Sequence, residues 1–152
     1  GVGHQPTGFD QLMLFYEHYT ALQAKIFVDF VNGDATTRQY AGVYVSATPG
    51  VESDFRTIIE NGLGNYTVLS PLGNTGDSAQ LELPCDVSRF LGRPDPLDED
   101  SLRGNNAANP LEQVYFHVWG APNVAVDSGD IGFEIRIEFV AQFTEPRILA
   151  IS

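Results

Sequence analysis

Three histidines are the residues of this sequence best suited to proton transfer, and they lie far apart at His4, His18 and His117. A histidine acts as a general base only when a reacting group lies within hydrogen-bond reach. The sequence contains no Gly-x-Ser-x-Gly, His-Glu-x-x-His or Gly-x-x-x-x-Gly-Lys pattern that would bring such groups together. His117 alternates with Tyr115 and Trp119, which is typical of a histidine packed on a strand. We therefore predict that the chain is not an enzyme and has no catalytic residue.

The densest group of potential metal ligands is the acidic stretch Asp95-Pro96-Leu97-Asp98-Glu99-Asp100. Calcium takes roughly six to eight oxygen ligands, so carboxylates at this density suggest a calcium site. The stretch lacks the alternating ligand spacing of a calcium loop, and we interpret it as a solvated acidic loop. No metal or cofactor is predicted within the chain, and Ca²⁺ held at subunit contacts remains the alternative.

Two further features invite a phosphate- or nucleic-acid-binding interpretation. The loop Gly73-Asn74-Thr75-Gly76-Asp77 is glycine-rich, but it lacks a lysine and joins two predicted strands, which indicates a hairpin connection. Lys25 and Arg136 stand among acidic residues, which favours charge pairs within a sheet, and Arg147 is the third candidate cation. The chain has 8 basic and 20 acidic residues, and its net charge of −12 repels phosphates. These residues are therefore not predicted to bind nucleic acid.

Cys85 is the only cysteine, which excludes a disulfide framework and any site that needs two thiolates. We interpret it as a small buried apolar residue. No apolar run approaches the roughly 20 residues that span a bilayer, and no membrane partner is predicted. The chain opens Gly1-Val2-Gly3-His4, with neither a signal peptide nor an initiator methionine, and we expect a preceding segment to be missing.

The elements that must position these residues are mainly strands, because apolar and polar residues alternate along much of the chain. The clearest case is Phe133–Phe139, apolar at odd positions and charged at even ones, which predicts a strand reaching Phe143 with its odd face buried. Ala24–Val31 has the same pattern. Ala79–Leu83 repeats it and is predicted to stop at Pro84.

Other strands are predicted from shorter or wholly apolar runs. Val114–Trp119 is apolar on both faces, which indicates a central strand or one covered by a neighbour, and Tyr40–Ser46 and Tyr66–Ser70 are shorter candidates. Helices are few and short. A helix is predicted over 50–61, begun by Thr48-Pro49 and ended by Asn61-Gly62, and others over Asp10–Tyr19 and Asp86–Gly92. Residues 93–111 are predicted to form a long surface loop.

Strands at irregular spacing, joined by long connections that carry small helices, favour two packed sheets over strand–helix–strand units. The predicted fold class is all-β: an antiparallel jelly-roll β-sandwich with short helices in long loops. With 152 residues and 43% hydrophobic residues, the chain fits one domain with one core over residues 1–152.

Several sequence blocks occur along the chain in a recognisable order. The most specific is Gly3-His4-Gln5-Pro6-Thr7-Gly8-Phe9-Asp10-Gln11, followed by Tyr16, Tyr19 and the strand Lys25–Phe30. Weaker blocks follow: Asp86–Gly92, Asn109-Pro110 before Val114–Val118, and the strand Ile135–Phe143 before Glu145-Pro146. In this order the blocks resemble capsid proteins of circovirus-like, Rep-encoding viruses with circular single-stranded DNA. The coats of satellite tobacco-necrosis-like viruses are similar in architecture.

This resemblance implies a viral jelly-roll subunit that self-assembles into an icosahedral shell around a single-stranded DNA genome. The simplest symmetric shell has about 60 copies. Capsid proteins of this family carry an Arg/Lys-rich N-terminal arm and one or two strands before the Gly-His-Gln-Pro block, and both are absent here. The resemblance therefore implies that genome contact lies on the missing arm and that the missing strands complete the sandwich. It also implies a virion location, with assembly in the host nucleus or cytoplasm, and a host receptor of unknown identity.

Five aromatic residues are candidates for contacts between subunits, because aromatics concentrate at interface cores: Tyr40, Tyr44, Tyr66, Tyr115 and Trp119. Core packing explains them equally well. The alternative function is a jelly-roll binding module, lectin-like or receptor-binding, in which Asp- and Asn-rich loops and Trp119 form a carbohydrate site. A cupin-type metalloenzyme needs two or three closely spaced histidines with a carboxylate, which the sequence does not provide.

Overall fold

The computed structural model describes residues 6–124 and 129–148. The chain divides into two compact units, which we describe separately. The first unit comprises Gly1–Ala24, Cys85–Gln113 and Phe139–Ser152, and the second comprises Lys25–Pro84 and Val114–Glu138. The single jelly-roll domain that the sequence predicts over residues 1–152 stays a prediction.

Strands dominate both units, and the helices are short. In chain order the elements are α1 (Phe9–Met13), β1 (Tyr16–Asn32), β2 (Gln39–Ser46), α2 (Phe55–Asn61), β3 (Gly64–Leu69), β4 (Ser78–Asp86), α3 (Val87–Leu91), a 3₁₀ turn (Asp100–Leu102), β5 (Arg103–Asn105), β6 (Tyr115–Pro122) and β7 (Ile131–Pro146). None of these helices is long and apolar enough to cross a membrane.

The strands form two antiparallel sheets. In the first sheet β1 pairs with β4, β5 and β7, and in the second sheet β2 lies between β3 and β6. The registers pair Gly42 of β2 with Tyr66 of β3 on one side and with Trp119 of β6 on the other. The chain passes from one sheet to the other four times: between β1 and β2, between β3 and β4, between β5 and β6, and between β6 and β7.

The second unit is a β-sandwich with its core between the two sheets. Every second residue of β1 points inward, so that Ile26, Val28 and Phe30 are almost fully buried. They pack in one cluster with Ala41 and Val43 of β2. The rest of the cluster is Leu69 with the partly buried Ala79, Leu81, Leu83, Phe116, Val118 and Ile131. The all-β sandwich predicted from the alternation is therefore confirmed.

All three predicted helices are present, and each is shorter than its predicted range. α2 begins at Phe55 because Asp54 accepts a hydrogen bond from the Arg56 N–H, while Ser46 holds Thr48 in a local turn. The predicted start at Thr48-Pro49 is therefore wrong, whereas the stop at Gly62 is confirmed by its left-handed backbone, with φ of 65°. The helix expected over Asp10–Tyr19 is limited to α1, since β1 already begins at Tyr16. α3 lies within the predicted 86–92.

Several strand predictions are also corrected. β4 continues through Pro84 to Asp86 because it pairs only with β1 among the described strands, and an edge strand tolerates a proline. Among the described strands β6 lies at an edge of its sheet and β2 is central, so of the two alternatives β6 is the covered strand, with Phe55 of α2 packed on Trp119. The loop expected over 93–111 contains β5, which pairs with β1, and the buried Leu102. Residues 73–77 connect β3 and β4 of different sheets, so the hairpin interpretation is wrong.

The face of β7 that the alternation predicts to be buried is exposed instead. β7 is confirmed as a long strand, running from Ile131 to Pro146. Phe133, Ile135 and Ile137 are nevertheless 59%, 43% and 40% exposed. The strand pattern was correct, but no second layer covers these side chains within the described residues.

Candidate interaction surface

The exposed apolar residues of β7 border an opening in the sandwich of the second unit. A cavity of about 320 Å³ lies between the edge strands β6 and β7. Its lining includes Phe30 and Val118 from the core and Phe133 from the exposed row. Among the described strands, β7 pairs only with β1 and β6 pairs only with β2. We call the region formed by these two free edges, the cavity and the apolar row the open side.

A buried polar network connects the end of β1, the start of β2 and the residues just before β7, next to the open side. The side-chain amide of Asn32 donates to the carbonyl oxygens of Thr37 and Ser70, both over 2.9 Å. Its oxygen accepts from the Gln39 amide over 2.9 Å, and the same Gln39 amide donates to the Gly129 carbonyl over 2.8 Å. Gly129 precedes β7, so the network fixes where this edge strand begins.

Asp34 joins the same network from the turn between β1 and β2. Its carboxylate accepts the N–H of Gly129 over 2.9 Å and the N–H of Thr36 over 2.7 Å. The Thr36 hydroxyl and the Thr37 N–H also donate to it. These donors, led by the Gly129 N–H, hold the pKa of the Asp34 carboxyl well below its usual value because they stabilise the charged form.

The low pKa of Asp34 predicts an acid-sensitive contribution to stability. A carboxyl with a depressed folded-state pKa stabilises the fold fully above its unfolded pKa of about 4, and this stabilisation is lost as the pH falls. We expect Asp34→Asn to be less stable than the wild type at pH 7 and to lose less stability between about pH 5 and pH 2. Urea unfolding across this pH range measures both effects. Asp98→Asn, at an exposed carboxyl, is the matched control, and an unchanged pH slope in Asp34→Asn would contradict the prediction.

The predicted aromatic candidates lie mainly on the outer face of the second sheet, where they pack on one another. Phe55 of α2 stacks on Tyr40 at 5.2 Å and on Trp119 at 6.0 Å between ring centroids. The Trp119 indole lies against Gly42, where a Cβ atom would stand 2.6 Å from the ring. Phe55 therefore lies against one part of the indole, and Trp119 is partly buried. Tyr66 is the candidate that remains about half exposed.

His117 is packed on its strand, as its alternation with Tyr115 and Trp119 predicts. Its ring stacks on Tyr44 at 4.6 Å, and Nε2 lies 3.2 Å from the carbonyl oxygen of Thr48. Tyr115 approaches the same ring at 6.4 Å. His4, the first of the three histidines, lies outside the described residues.

In the first unit, His18 lies beside carboxylates. His18 Nδ1 is 3.3 Å from a carboxylate oxygen of Glu145, and Arg103 is 3.5 Å from the same side chain. Glu17, His18 and Glu145 are the one group of three potential metal ligands that converge within residues 6–124 and 129–148. The guanidinium of Arg103 competes for Glu145 and disfavours a cation there, so this group supports no metal site.

The acidic stretch 95–100 does not gather its carboxylates around one point in the described chain. Asp95 accepts the N–H of Leu97, and Asp100 pairs with Arg103 at 3.2 Å. Both contacts are local to this segment. Ca²⁺ between subunits stays a prediction, because it requires ligands from more than one copy.

The candidate cations of the first sheet form the charge pairs that the sequence predicted. Lys25 lies 2.7 Å from Glu82 of the neighbouring strand, and Arg136 lies 3.5 Å from Glu138 on its own strand. Both cations also lie over the ring of Phe27, at 4.8 and 4.2 Å from its centroid. Arg147 belongs to the first unit, and its side chain donates to the carbonyl of Tyr16.

Cys85 is buried and free, which confirms its interpretation as an apolar residue. Burial raises the pKa of its thiol, and the negative charge of Asp86 adds to this effect. The neutral thiol is the unreactive form, so this cysteine is not expected to act as a nucleophile.

The open side was not recognisable from the sequence as a site. The alternation of Phe133–Phe139 marked one face as apolar, but the absence of a covering layer follows from strand order alone. No family model matches the chain, and no curated protein matches it.

Proposed function

We propose that this chain is the coat protein subunit of a small icosahedral virus shell, with the strand arrangement of a jelly roll. The observation that carries the proposal is the order of the strands. The chain crosses repeatedly between two sheets. The strands that pair, β1 with β7 and β2 with β6, are far apart in the sequence. Such non-local pairing across two sheets is typical of a jelly roll, which occurs in viral capsids and lectins.

The open side supports the same arrangement. An eight-stranded jelly roll has two four-stranded sheets. Here the long strands are β7, β1 and β4 in the first sheet, to which the three-residue β5 adds a short pairing with β1, and β6, β2 and β3 in the second. One more long strand at each of the free edges of β7 and β6 would complete the arrangement. The exposed row of β7 has the inward-facing alternation that such an enclosed position requires.

The viral assignment rests on the order of the sequence blocks, which resembles that of circovirus-like capsid proteins. Phe9, Asp10 and Gln11 belong to the most specific of these blocks. The net charge of −12 is compatible with a shell protein whose genome-binding charge lies on a separate basic arm. The proposed partners are about 60 copies of the chain itself, and through that arm a single-stranded DNA genome inside the virion. No chemical step is required of the subunit.

Negative-stain electron microscopy of the native protein, with its intact mass recorded, tests this function. We expect uniform round particles of virus size. Monomers or small oligomers at the full natural mass would count against a shell and favour the binding module, which a sugar array and calcium-dependent melting would then test. If the natural protein proves longer than this chain, the same experiment is repeated with the full natural protein.

A further inference from the structure

The dipeptide Asn-Gly occurs twice in the second unit, as Asn32-Gly33 and as Asn61-Gly62. An asparagine followed by glycine is prone to react with its own main chain. Glycine has no Cβ atom, so its amide nitrogen approaches the side-chain carbonyl carbon of the asparagine with little steric hindrance. The two copies share this local chemistry, and the structure surrounds them differently.

At Asn32-Gly33 both reacting groups are held in place. The Asn32 side chain is fully buried and makes four hydrogen bonds. The Gly33 N–H donates to the carbonyl oxygen of Asp130 over 2.7 Å. The main chain is packed so closely there that a Cβ atom on Gly33 would lie 2.5 Å from the same oxygen. Reaction at this copy therefore requires the end of β1 to separate from the residues just before β7.

At Asn61-Gly62 neither group is held in this way. Asn61 is the last residue of α2, and both residues are exposed. The Asn61 side chain makes no hydrogen bond within residues 6–124 and 129–148. The Gly62 N–H donates to the Ile59 carbonyl over a long 3.3 Å, and a Cβ atom on Gly62 would meet nothing within 4 Å. Since helix ends fray readily, this copy reaches a reactive geometry without disturbing the core.

We propose that Asn61-Gly62 is a site of spontaneous covalent modification in this chain. The Gly62 amide nitrogen gives up its proton and attacks Cγ of Asn61, the bond between Cγ and Nδ2 breaks, and ammonia leaves. The product is a cyclic imide that joins the side chain to the main chain. One water molecule then opens the imide at either carbonyl, which gives aspartate or isoaspartate. Water is the only co-reactant, and no oxidation or reduction occurs.

Either product places a carboxylate where α2 had a neutral amide. Negative charge is unfavourable at the C-terminal end of a helix, because the last carbonyl groups already carry partial negative charge. Isoaspartate also lengthens the main chain by a methylene group next to the turn at Gly62. Because Phe55 of α2 stacks on Tyr40 and Trp119, the modification loosens packing on the outer face of the second sheet. The reaction depends on the local chain and not on the proposed function.

Peptide mapping by mass spectrometry tests the site in the 152-residue chain, kept folded at mildly alkaline pH and body temperature for several weeks. We expect Asn61 to convert at least about tenfold faster than Asn32. In guanidinium chloride, where the fold is lost, the two copies should convert at similar rates. Asn61→Gln should abolish the product at this position, because the longer side chain forms an imide much more slowly. Asn65→Gln, at another exposed asparagine, should leave the rate at Asn61 unchanged.

Fluorescence of Trp119, the single tryptophan, follows the effect on α2 in the same samples. Its emission should shift to longer wavelength in step with conversion at Asn61 and stay constant in Asn61→Gln. Equal rates at Asn32 and Asn61 in the folded chain would overturn the proposal. So would an Asn61 that converts in guanidinium chloride and stays intact in the folded chain. Constant Trp119 emission during full conversion would overturn the effect on α2.

Discussion

Replacing Phe30 with alanine is expected to lower the free energy of unfolding by about 3–5 kcal/mol. Phe30 is 1% exposed, it belongs to the core cluster with Ile26 and Val28, and it also lines the cavity at the open side. Truncation removes its buried ring and enlarges a space that the surrounding strands cannot close. Urea unfolding followed by circular dichroism measures the loss.

The matched control for this substitution is the next residue of the same strand. Val31 points outward and is 45% exposed, so Val31→Ala should change the free energy of unfolding by less than about 1 kcal/mol. Similar losses in the two variants would show that β1 does not separate a buried from an exposed face, and the sandwich described for the second unit would be wrong.

Local alternation predicted β1 and β7 well because a strand's side chains reach opposite faces every second residue. The same signal could not tell which faces a second layer covers. For β1 the inward face is covered by β2, whereas for β7 the equivalent face at Phe133 and Ile135 is open. Covering depends on partners distant in the sequence, and alternation within one segment carries no information about them.

Local signals also failed where tertiary pairing overrode them. Tyr16 and Tyr19 fit a helical spacing, but residues 18–20 pair with β5, which lies in the segment predicted to form a loop. The stop signal at Gly62 was read correctly because a left-handed backbone at a helix end is a local requirement that glycine meets. The free edges of β6 and β7 follow from strand order, so they are among the features that local sequence signals could not predict.

Substituting Asn32 with alanine is expected to cost about 2–4 kcal/mol, although the residue is polar and small. Asn32 is fully buried at the end of β1, and its side chain makes four hydrogen bonds. Its loss would leave the carbonyls of Thr37 and Ser70 and one donor of the Gln39 amide without this partner. A buried group left unsatisfied keeps its full desolvation cost.

Asn65→Ala provides the matched control, because Asn65 is exposed and its side chain donates one hydrogen bond, to the carbonyl of Glu82. We expect it to cost less than about 1 kcal/mol. In Asn32→Ala the Gln39 bond to the Gly129 carbonyl is also expected to loosen, since Gln39 loses the acceptor that orients it. Amide hydrogen exchange at residues 129–133 should then rise at the start of β7. Equal losses of stability in the two variants, with unchanged exchange there, would contradict the role of this network in positioning the open side.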